Sequence, residues 1–360
     1  MVSSTGTVSA TVFPVRKIYD RAFGRCKLAP QQISDEYLEI AGDLLYALLS
    51  ELATKGLATW CIEKIVLPIY DSELSIPCPP GTVDMLDCNL RTITQLQLGP
   101  GCIYTATSGT AANAFDDNLA TACIQTEAGG SITVEFPTAS QPITFGILPN
   151  ATGDWDIEIN TSDDGTDWLT IYQNSQFEAV AGEWLWVDIE GIPEAGVNYV
   201  QLSAAPGTTL NVTEFVCGAS PQEIPLAKIN RDDYSNLPNK FFPGRPVQFW
   251  FDKQQPVPFM RLWPAPQLQF TYAQLVCYIQ QHVQDVGSLT NSLAIPQRWV
   301  LAIIIELAHQ LAGVIPEVDW TDPRIQMLPT EAASLINRAW GSESDGSPTY
   351  WKPMITTYTR

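Results

Sequence analysis

The stretch NTSDDGTDWLTIY, residues 160–172, carries three closely spaced carboxylates: Asp163, Asp164 and Asp167. Clustered carboxylates can bind calcium, which takes oxygen ligands at alternate positions around a glycine bend. A calcium helix-loop-helix motif would also need a glutamate at its twelfth position, and here Thr166 and the apolar run after Trp168 break that pattern. Because Asp-Gly lies between two stretches of alternating apolar and polar residues, the pattern favours a β-hairpin turn over a metal site or a catalytic cluster.

Motifs of nucleophilic, metal-dependent and phosphate-binding enzymes are missing from the sequence. It contains no G-x-S-x-G, H-E-x-x-H, G-x-x-x-x-G-K or G-x-G-x-x-G. Paired carboxylates, which glycosidases use, are frequent in any acidic chain and decide nothing here. His309 lies on the apolar face of a predicted helix, where a histidine is more often a core residue than a catalytic base. We therefore expect no enzyme; a glycoside hydrolase with an accessory sandwich is the enzymatic alternative.

Zinc binding and membrane insertion are not expected either. None of the eight cysteines forms a C-x-x-C pair, and the chain has only two histidines, His282 and His309. The amino terminus, MVSSTGTVSATVFP, has no basic and apolar leader, so we expect synthesis in the cytoplasm and reduced thiols. The longest apolar stretch, RWVLAIIIELAHQLAGVI, contains Arg298 and Glu306 and is too short and too polar to span a bilayer.

The formal net charge of -20 is concentrated in one segment. Residues 106–218 hold sixteen Asp and Glu and no Lys or Arg. A change of composition on this scale indicates a separate domain. An acidic surface argues against groove or phosphate binding to nucleic acid, but it allows a channel through which DNA passes without being held.

Apolar residues at helical spacing predict a helix over 34–55, with Ser34 as its N-cap and Gly56 as its stop. Further helices are predicted at 14–24, 296–315 and 330–341, and strands at 60–98 and 224–280. The acidic segment shows seven or eight short strand patterns and no helix, which favours a β-sandwich or barrel. The predicted fold class is α+β with several domains: a helical bundle with a small β-region, interrupted by an all-β sandwich.

Five stretches of the acidic segment resemble landmarks of the discoidin, or coagulation factor 5/8 type C, domain. They are AFDDNLATACIQ (114–125), GSITVEF (130–136), TSDDGTDWLTI (161–171), NYVQLSA (198–204) and LNVTEFVCG (210–218). The resemblance implies a discoidin-like β-sandwich over residues 103–218. It also implies that the aspartates of the opening stretch shape a hairpin turn and that Trp168 packs inward. Cys102 and Cys217 flank the segment where many secreted discoidin domains carry a disulfide, and free thiols are expected in a cytosolic product.

The same resemblance implies a structural calcium ion. Discoidin domains often hold it with an Ala-x-Asp-Gly-Asn-x-x-Thr loop and a glutamate on the last strand. The matching residues are Asp116, Asn118, Thr121 and Glu214, which offer the oxygen ligands that calcium prefers. Asp117 stands where the family has glycine. A hydrogen-bonded turn without metal is the alternative, and no other cofactor is expected.

Sugar binding is the second property that the resemblance implies, because discoidin-like sandwiches often bind sugars through aromatic loops at one end. The candidates for glycan contact are Trp155, Trp184 and Trp186. Trp184 and Trp186 share strand parity and therefore one face, which is more often a core than a ligand platform. A carbohydrate-binding tail or surface protein is thus the alternative function.

The outer parts of the chain are similar to the head-to-tail adaptor proteins of tailed phages, especially short-tailed ones. The similar stretches are EIAGDLLYALLSELATKGLATW (39–60), LPIYDSELSIPCPPGTVDMLDCNLRT (67–92), INRDDYSNLPNKFFPGRPVQFWFDKQQPVPFMRLWPAPQ (229–267) and IPQRWVLAIIIELAHQLA (295–312). Such adaptors pair a helical bundle with a small β-region and form a twelve-subunit ring below the portal. The resemblance divides the chain into an adaptor core in two parts (1–102 and 219–341), the inserted sandwich (103–218) and a docking tail (342–360).

The adaptor resemblance implies a structural protein of the virion neck or tail. Its partners would be the portal protein, tail nozzle or tail fibre proteins and further copies of itself, and genomic DNA would pass through the ring without specific binding. Tyr350, Trp351 and Tyr358 are candidates for docking into the portal, and disorder is the alternative for this tail. We further expect the sandwich to project outward as an autonomous domain whose ends, Cys102 and Cys217, lie close together.

Overall fold

The computed structural model describes residues 13–55, 61–189, 196–267, 269, 272–281, 289–290, 292–293 and 295–341. The helices are α1 (Val15–Arg25), α2 (Asp35–Lys55), α3 (Arg231–Ser235), α4 (Gln297–Val314) and α5 (Pro323–Gly341). The strands are β1 (Ile62–Pro68), β2 (Ser75–Pro77), β3 (Thr82–Gln95), β4 (Ile103–Ala106), β5 (Cys123–Ile124), β6 (Ser131–Ser140), β7 (Thr144–Pro149), β8 (Gly153–Ser162), β9 (Leu169–Ala179), β10 (Leu185–Asp188), β11 (Val197–Ala204), β12 (Asn211–Pro225), β13 (Ala227–Lys228), β14 (Pro243–Gly244), β15 (Gln248–Asp252), β16 (Phe259–Trp263), β17 (Ala265–Pro266) and β18 (Gln274–Gln281).

The four longer helices belong to the first of two units into which the chain divides, formed by Met1–Glu63, Gly81–Val83 and Gln280–Arg360. They share one hydrophobic core, in which Phe23 of α1, Leu45 of α2 and Ile303 of α4 are almost completely buried. Helices from opposite ends of the sequence therefore fold together. The helices predicted at 14–24, 34–55 and 296–315 are confirmed within one residue at each end.

Helix α5 begins at Pro323, seven residues before the predicted start at Thr330. The predicted start at Thr330 lies directly after Pro329, a residue type that usually interrupts a helix. Instead, Asp322 caps the helix: its carboxylate accepts a hydrogen bond from the backbone nitrogen of Arg324 at 2.9 Å, and Pro329 lies inside the helix. Among the described helices, none is long and apolar enough to cross a membrane.

The second unit, Lys64–Pro80 and Asp84–Ile279, consists mainly of strands. Its sandwich packs an antiparallel sheet in the order β4-β6-β11-β8-β9 against β5, β7, β10 and β12 of a seven-stranded sheet. Alternate residues point inward, so that Ile132, Ile157 and Phe215 are fully buried in one core. The all-β nature of the acidic segment is confirmed. Most of the described strands lie in this unit, so the chain as described is more β than helical.

Strand β12 connects the sandwich to the rest of the second unit without a break. Its first half, Val212 to Gly218, pairs with β7, and its second half, Gly218 to Pro225, pairs with β3. The seven-stranded sheet then continues through β18 to β1. The predicted boundary at residue 218 thus falls inside a strand, because β12 pairs with β7 of the sandwich and then with β3 outside it.

The acidic stretch around Gly165 forms the predicted hairpin turn. Strands β8 and β9 pair antiparallel up to Thr161 and Leu169. The carboxylate of Asp164 accepts hydrogen bonds from the hydroxyl of Thr166 (2.6 Å) and from the backbone nitrogens of Asp167 (3.0 Å) and Thr166 (2.8 Å), which together hold the pKa of Asp164 far below its usual range. Trp168 is half-buried against Tyr199, with the ring centroids 6.4 Å apart. Asp164 therefore has a structural role as the residue that shapes the turn.

Candidate functional site

The loop after the 3-10 helix Ala111–Ala114 brings the four predicted calcium ligands together. Phe115 is 1% exposed and stacks on Tyr104, with the ring centroids 4.9 Å apart, so the start of the loop is anchored in the sandwich core. Glu214 reaches the loop from β12, at a point where the pairing with β7 shifts register between Val212 and Glu214. Such an irregularity changes the direction of a side chain relative to the regular strand.

Hydrogen bonds close the loop around Asp116. Its carboxylate accepts from the backbone nitrogen of Asn118 (3.1 Å) and from the hydroxyl of Thr121 (2.9 and 3.0 Å). The side-chain oxygen of Asn118 accepts from the nitrogen of Ala120 at 3.1 Å. The nitrogen of Asn118 also donates to Oε1 of Glu214 at 2.7 Å, which joins the loop to β12. This is the hydrogen-bonded turn that the sequence offered as the alternative to a metal site.

Asp117, at the position of the family glycine, keeps the turn in the left-handed region with φ of 58°. Aspartate is one of the few residues besides glycine that adopt this region readily, since its short polar side chain can form local hydrogen bonds. The departure from glycine therefore leaves the backbone turn in place. It adds an exposed carboxylate beside Asp116.

Glu214 is the member of this group whose surroundings most disfavour the charged form of its carboxylate. Its side chain is fully buried, and its Oε2 atom has no hydrogen-bond partner among the described residues. Burial raises the pKa of Glu214 to about 8, and the nearby carboxylates of Asp116 and Asp117 act in the same direction. A buried carboxylate oxygen without a partner is unfavourable, and a cation would supply the missing interaction.

The donor set fits calcium chemically, because Asp116, Asn118, Thr121 and Glu214 all offer hard oxygen atoms. The unpartnered oxygen of Glu214 is the observation that favours an ion at this position. Within the described part of the chain, no three His, Cys, Asp or Glu side chains are grouped as metal ligands. Calcium would therefore depend on amide, hydroxyl and backbone oxygens in addition to two carboxylates.

A cleft of about 800 Å³ opens beside this loop, within the second unit. Its lining combines the polar side chains of Thr92, Gln95, Asn118, Gln269 and Tyr272 with apolar residues, which contribute most of its exposed surface. The hydroxyl of Tyr272 is buried close to Asp117, and burial together with this neighbouring carboxylate raises the pKa of Tyr272. Sequence reasoning missed this cleft, because its lining comes from three distant stretches that meet only in the folded chain.

The three tryptophans predicted to contact glycan are core residues, which corrects that prediction. Trp155 is 5% exposed and packs edge-on against Phe177, while Trp184 and Trp186 are each 7% exposed and stack on one another at 4.9 Å. A sugar-binding platform needs an open ring face, and these rings have none. The shared strand parity of Trp184 and Trp186 therefore predicted a core correctly.

The three aromatic residues predicted to dock into the portal lie outside the described residues: Tyr350, Trp351 and Tyr358.

An ion-pair cluster that the sequence did not reveal fixes β10 to β3. The guanidinium of Arg91, whose side chain is 5% exposed, pairs with Asp188 and Glu223, and Lys64 also pairs with Asp188. These attractive partners lower the pKa of Asp188 and Glu223 and outweigh the opposing effect of burial. Arg91 and Asp188 are far apart in the sequence, so no local pattern indicates the pair.

Comparison with known proteins gives similar structures for part of the chain. No protein-family model matches it, and no curated protein is similar to it. Among solved structures, a chitosan-binding module from a chitosanase/glucanase of Paenibacillus sp. IK-5 is 20% identical, with 36% of this chain and 100% of the module covered and a TM-score of 0.30.

Two further structures show the same kind of likeness. The family 32 CBM of Clostridium perfringens NanJ, solved in complex with galactose, is 17% identical over 36% of this chain and 99% of the module, with a TM-score of 0.29. An F5/8 type C domain from Bacteroides fragilis is 14% identical over 33% of this chain and 92% of that domain, with a TM-score of 0.29. These neighbours are of the discoidin type. Because their TM-scores are below 0.5, they give no information about what this chain does.

Proposed function

We propose that this chain is a structural virion protein, a head-to-tail adaptor that joins the portal of a tailed phage to its tail and continues the DNA channel. The proposal starts from the similarity of four outer stretches to such adaptors. Its partners would be the portal protein, tail nozzle or tail fibre proteins, and further copies of the chain in a ring of twelve. The site of action would be the virion neck.

The observation that carries the proposal is the common core of the first unit. The adaptor resemblance implies a helical bundle assembled from both ends of the chain, and α1 and α2 share their core with α4 and α5. The sandwich supports a structural role as well, because β12 continues from it into the β-region. A module that only tethers a ligand needs no such shared strand.

DNA would pass the ring without being held, since the chain carries a net charge of -20 and no basic run. Filter binding of the assembled ring at low salt should detect little affinity for duplex DNA. Strong, salt-sensitive binding would argue for a nucleic-acid-binding role in place of a passive channel.

Sedimentation of the purified chain with and without the portal protein of the same virus tests the adaptor role. At low protein concentration the chain alone should sediment as small species, because its net charge opposes assembly and the portal is needed as a template for a closed ring. With portal, it should move into a much larger complex. A chain that stays monomeric in both samples would contradict the proposal.

A structural calcium ion in the sandwich is part of the proposal. It would be held by Asp116, Asn118, Thr121 and Glu214, and it would replace the proton that the buried Glu214 otherwise favours. Its effect would be to stabilise the loop, since calcium has no reaction to catalyse there.

Carbohydrate binding is the second candidate, and the cleft beside the calcium loop is the observation that favours it. The cleft presents the amide groups of Gln95, Asn118 and Gln269 beside the ring of Tyr272, and a few polar groups in a concave, otherwise apolar lining suit a small ligand such as a sugar. This location differs from the tryptophan platform, which the structure buries.

Calorimetric titration with galactose and with a chitosan oligomer tests this candidate. Binding that weakens on Gln269→Ala, a lining residue of the cleft, but not on the matched change Gln173→Ala at an exposed position of β9, would support the cleft as the site. The absence of heat with both sugars would leave the adaptor role as the only function that we propose.

A further inference from the structure

We infer that copies of this chain bind one another head to tail, through a basic loop on one copy and an acidic turn on the next. The basic loop is KFFPGR, residues 240–245, and the acidic turn is DDGTDWL, residues 163–169. The contact deepens the proposed adaptor role and rests on it, because it names the surfaces that would join neighbouring copies in a ring.

The basic loop exposes two adjacent large apolar side chains. Phe241 is 77% exposed and Phe242 is 53% exposed. Lys240 and Arg245 flank them, and the chain carries no Asp or Glu between Asp233 and Asp252. Exposed aromatic rings bordered by positive charge are typical of binding surfaces, since a monomer gains nothing by leaving such rings in water.

The loop is held in place by its neighbours. The backbone nitrogen of Phe241 donates to the side-chain oxygen of Asn239 at 3.1 Å, and the carbonyl of Phe242 accepts from Ala265 at 2.9 Å. The ammonium of Lys240 donates to the carbonyl of Ser235 at 3.2 Å. Because the backbone is already fixed, a partner would lose little free energy in ordering this loop.

The acidic turn has the complementary pattern. Leu169 is 60% exposed at the start of β9, and the exposed carboxylates of Asp163 and Asp167 have no hydrogen-bond or ion-pair partner among the described residues. Asp164 keeps the turn rigid through its hydrogen bonds to Thr166 and Asp167. One surface thus offers apolar rings beside positive charges, and the other offers an apolar side chain beside negative charges.

A second copy is the occupant that these charges favour. The two surfaces differ, so their contact is of the head-to-tail kind, which closes into a ring when the rotation allows. In one copy, no hydrogen bond or ion pair between described residues joins residues 240–245 to residues 163–169. Duplex DNA would also attract Lys240 and Arg245, but the net charge of -20 on the chain opposes it.

A charge-swap experiment on the full chain tests the contact. One variant reverses the basic loop (Lys240→Glu with Arg245→Glu), and another reverses the acidic turn (Asp163→Lys with Asp167→Lys). Each alone should self-associate at least about tenfold more weakly than the natural chain in light scattering and sedimentation at high protein concentration. An equimolar mixture should recover the association, because each variant then meets its complement.

Two further variants separate the contact from folding and from net charge. Because Lys240 also holds its own loop, Arg245→Glu alone should reproduce part of the loss. A matched control for the acidic-turn variant, Asp154→Lys with Glu178→Lys, changes the charge by the same amount and sign at the opposite end of the β8–β9 hairpin and should leave association unchanged.

Three results would overturn the inference: variants that associate like the natural chain, a mixture that fails to recover, or a natural chain whose molecules only repel one another at every salt concentration. Loss of DNA binding in the basic-loop variant without any change in self-association would assign this surface to nucleic acid instead. Because the experiment uses no portal protein, its failure is distinct from a failure of the adaptor role.

Discussion

The guanidinium of Arg91 on β3 donates from one nitrogen to both carboxylate oxygens of Asp188 on β10, at 2.7 Å each. Asp188 belongs to the sandwich. Arg91 lies on β3, which pairs with the second half of β12 outside the sandwich. The same guanidinium reaches Glu223 in the second half of β12. This partly buried cluster and the shared strand β12 connect the sandwich to the rest of the second unit.

Replacing Arg91 by Met should lower the free energy of unfolding by about 2–4 kcal/mol, since it leaves two partly buried carboxylates with fewer partners. Urea unfolding followed by tryptophan fluorescence measures the change. The control is Arg231→Met, whose ion pair with Asp232 is largely exposed and should be worth less than about 1 kcal/mol. Equal effects of the two substitutions would contradict the role given to Arg91.

The same cluster predicts how stability depends on pH. Arg91 holds the pKa of Asp188 and Glu223 below their usual values in the folded chain. Their contribution is therefore fully present above the unfolded pKa of about 4 and is lost as the pH falls through the lower folded values. The difference in unfolding free energy between the natural chain and Arg91→Met should shrink below about pH 4. A difference that stays constant down to pH 2 would show that charge pairing is not its source.

Calcium should raise the melting temperature of the chain, because an ion beside Glu214 removes the cost of its unpartnered oxygen. Glu214→Gln should abolish most of this calcium effect, while Glu183→Gln at an exposed position should preserve it. Differential scanning fluorimetry with calcium and then with a chelator provides the measurement. An unchanged melting temperature in excess calcium would mean that the hydrogen-bonded turn is complete without an ion.

The packing around Gly146 on β7 leaves no room for a side chain. A Cβ atom at this position would lie 2.4 Å from the buried ring of Trp186, which itself stacks on Trp184. Gly146→Ala should therefore lower stability by about 1–3 kcal/mol through overpacking. At Gly153 on β8 the nearest atom would be 3.7 Å away, so Gly153→Ala should cost about 0.5 kcal/mol or less. A neutral Gly146→Ala would show that Trp186 can move out of the core.

Local patterns were sufficient to predict much of this structure. The helical spacing in α2 and the Asp-Gly turn between β8 and β9 depend on short stretches of sequence, whereas the oxygen groups around Asp116 and Glu214 were implied by the discoidin resemblance. The start of α5 was predicted wrongly, because the cap at Asp322 outweighs the usual effect of Pro329. Such competition between a cap and a helix breaker is decided by the folded surroundings.

Long-range contacts explain what the sequence did not reveal. The cleft beside the calcium loop combines Thr92, Asn118 and Tyr272, and the pair of Arg91 and Asp188 spans 97 positions. Neither has a periodicity or motif of its own. The continuity of β12 across residue 218 was hidden for a similar reason, since the change in composition at that point does not coincide with a change in backbone pairing.

Electron microscopy of the purified chain mixed with portal protein tests the adaptor role most directly. We expect class averages in which a closed ring of this chain is stacked against one end of the portal, and no such ring in images of the chain alone. Portal particles that remain bare in the presence of excess chain would contradict the proposed function.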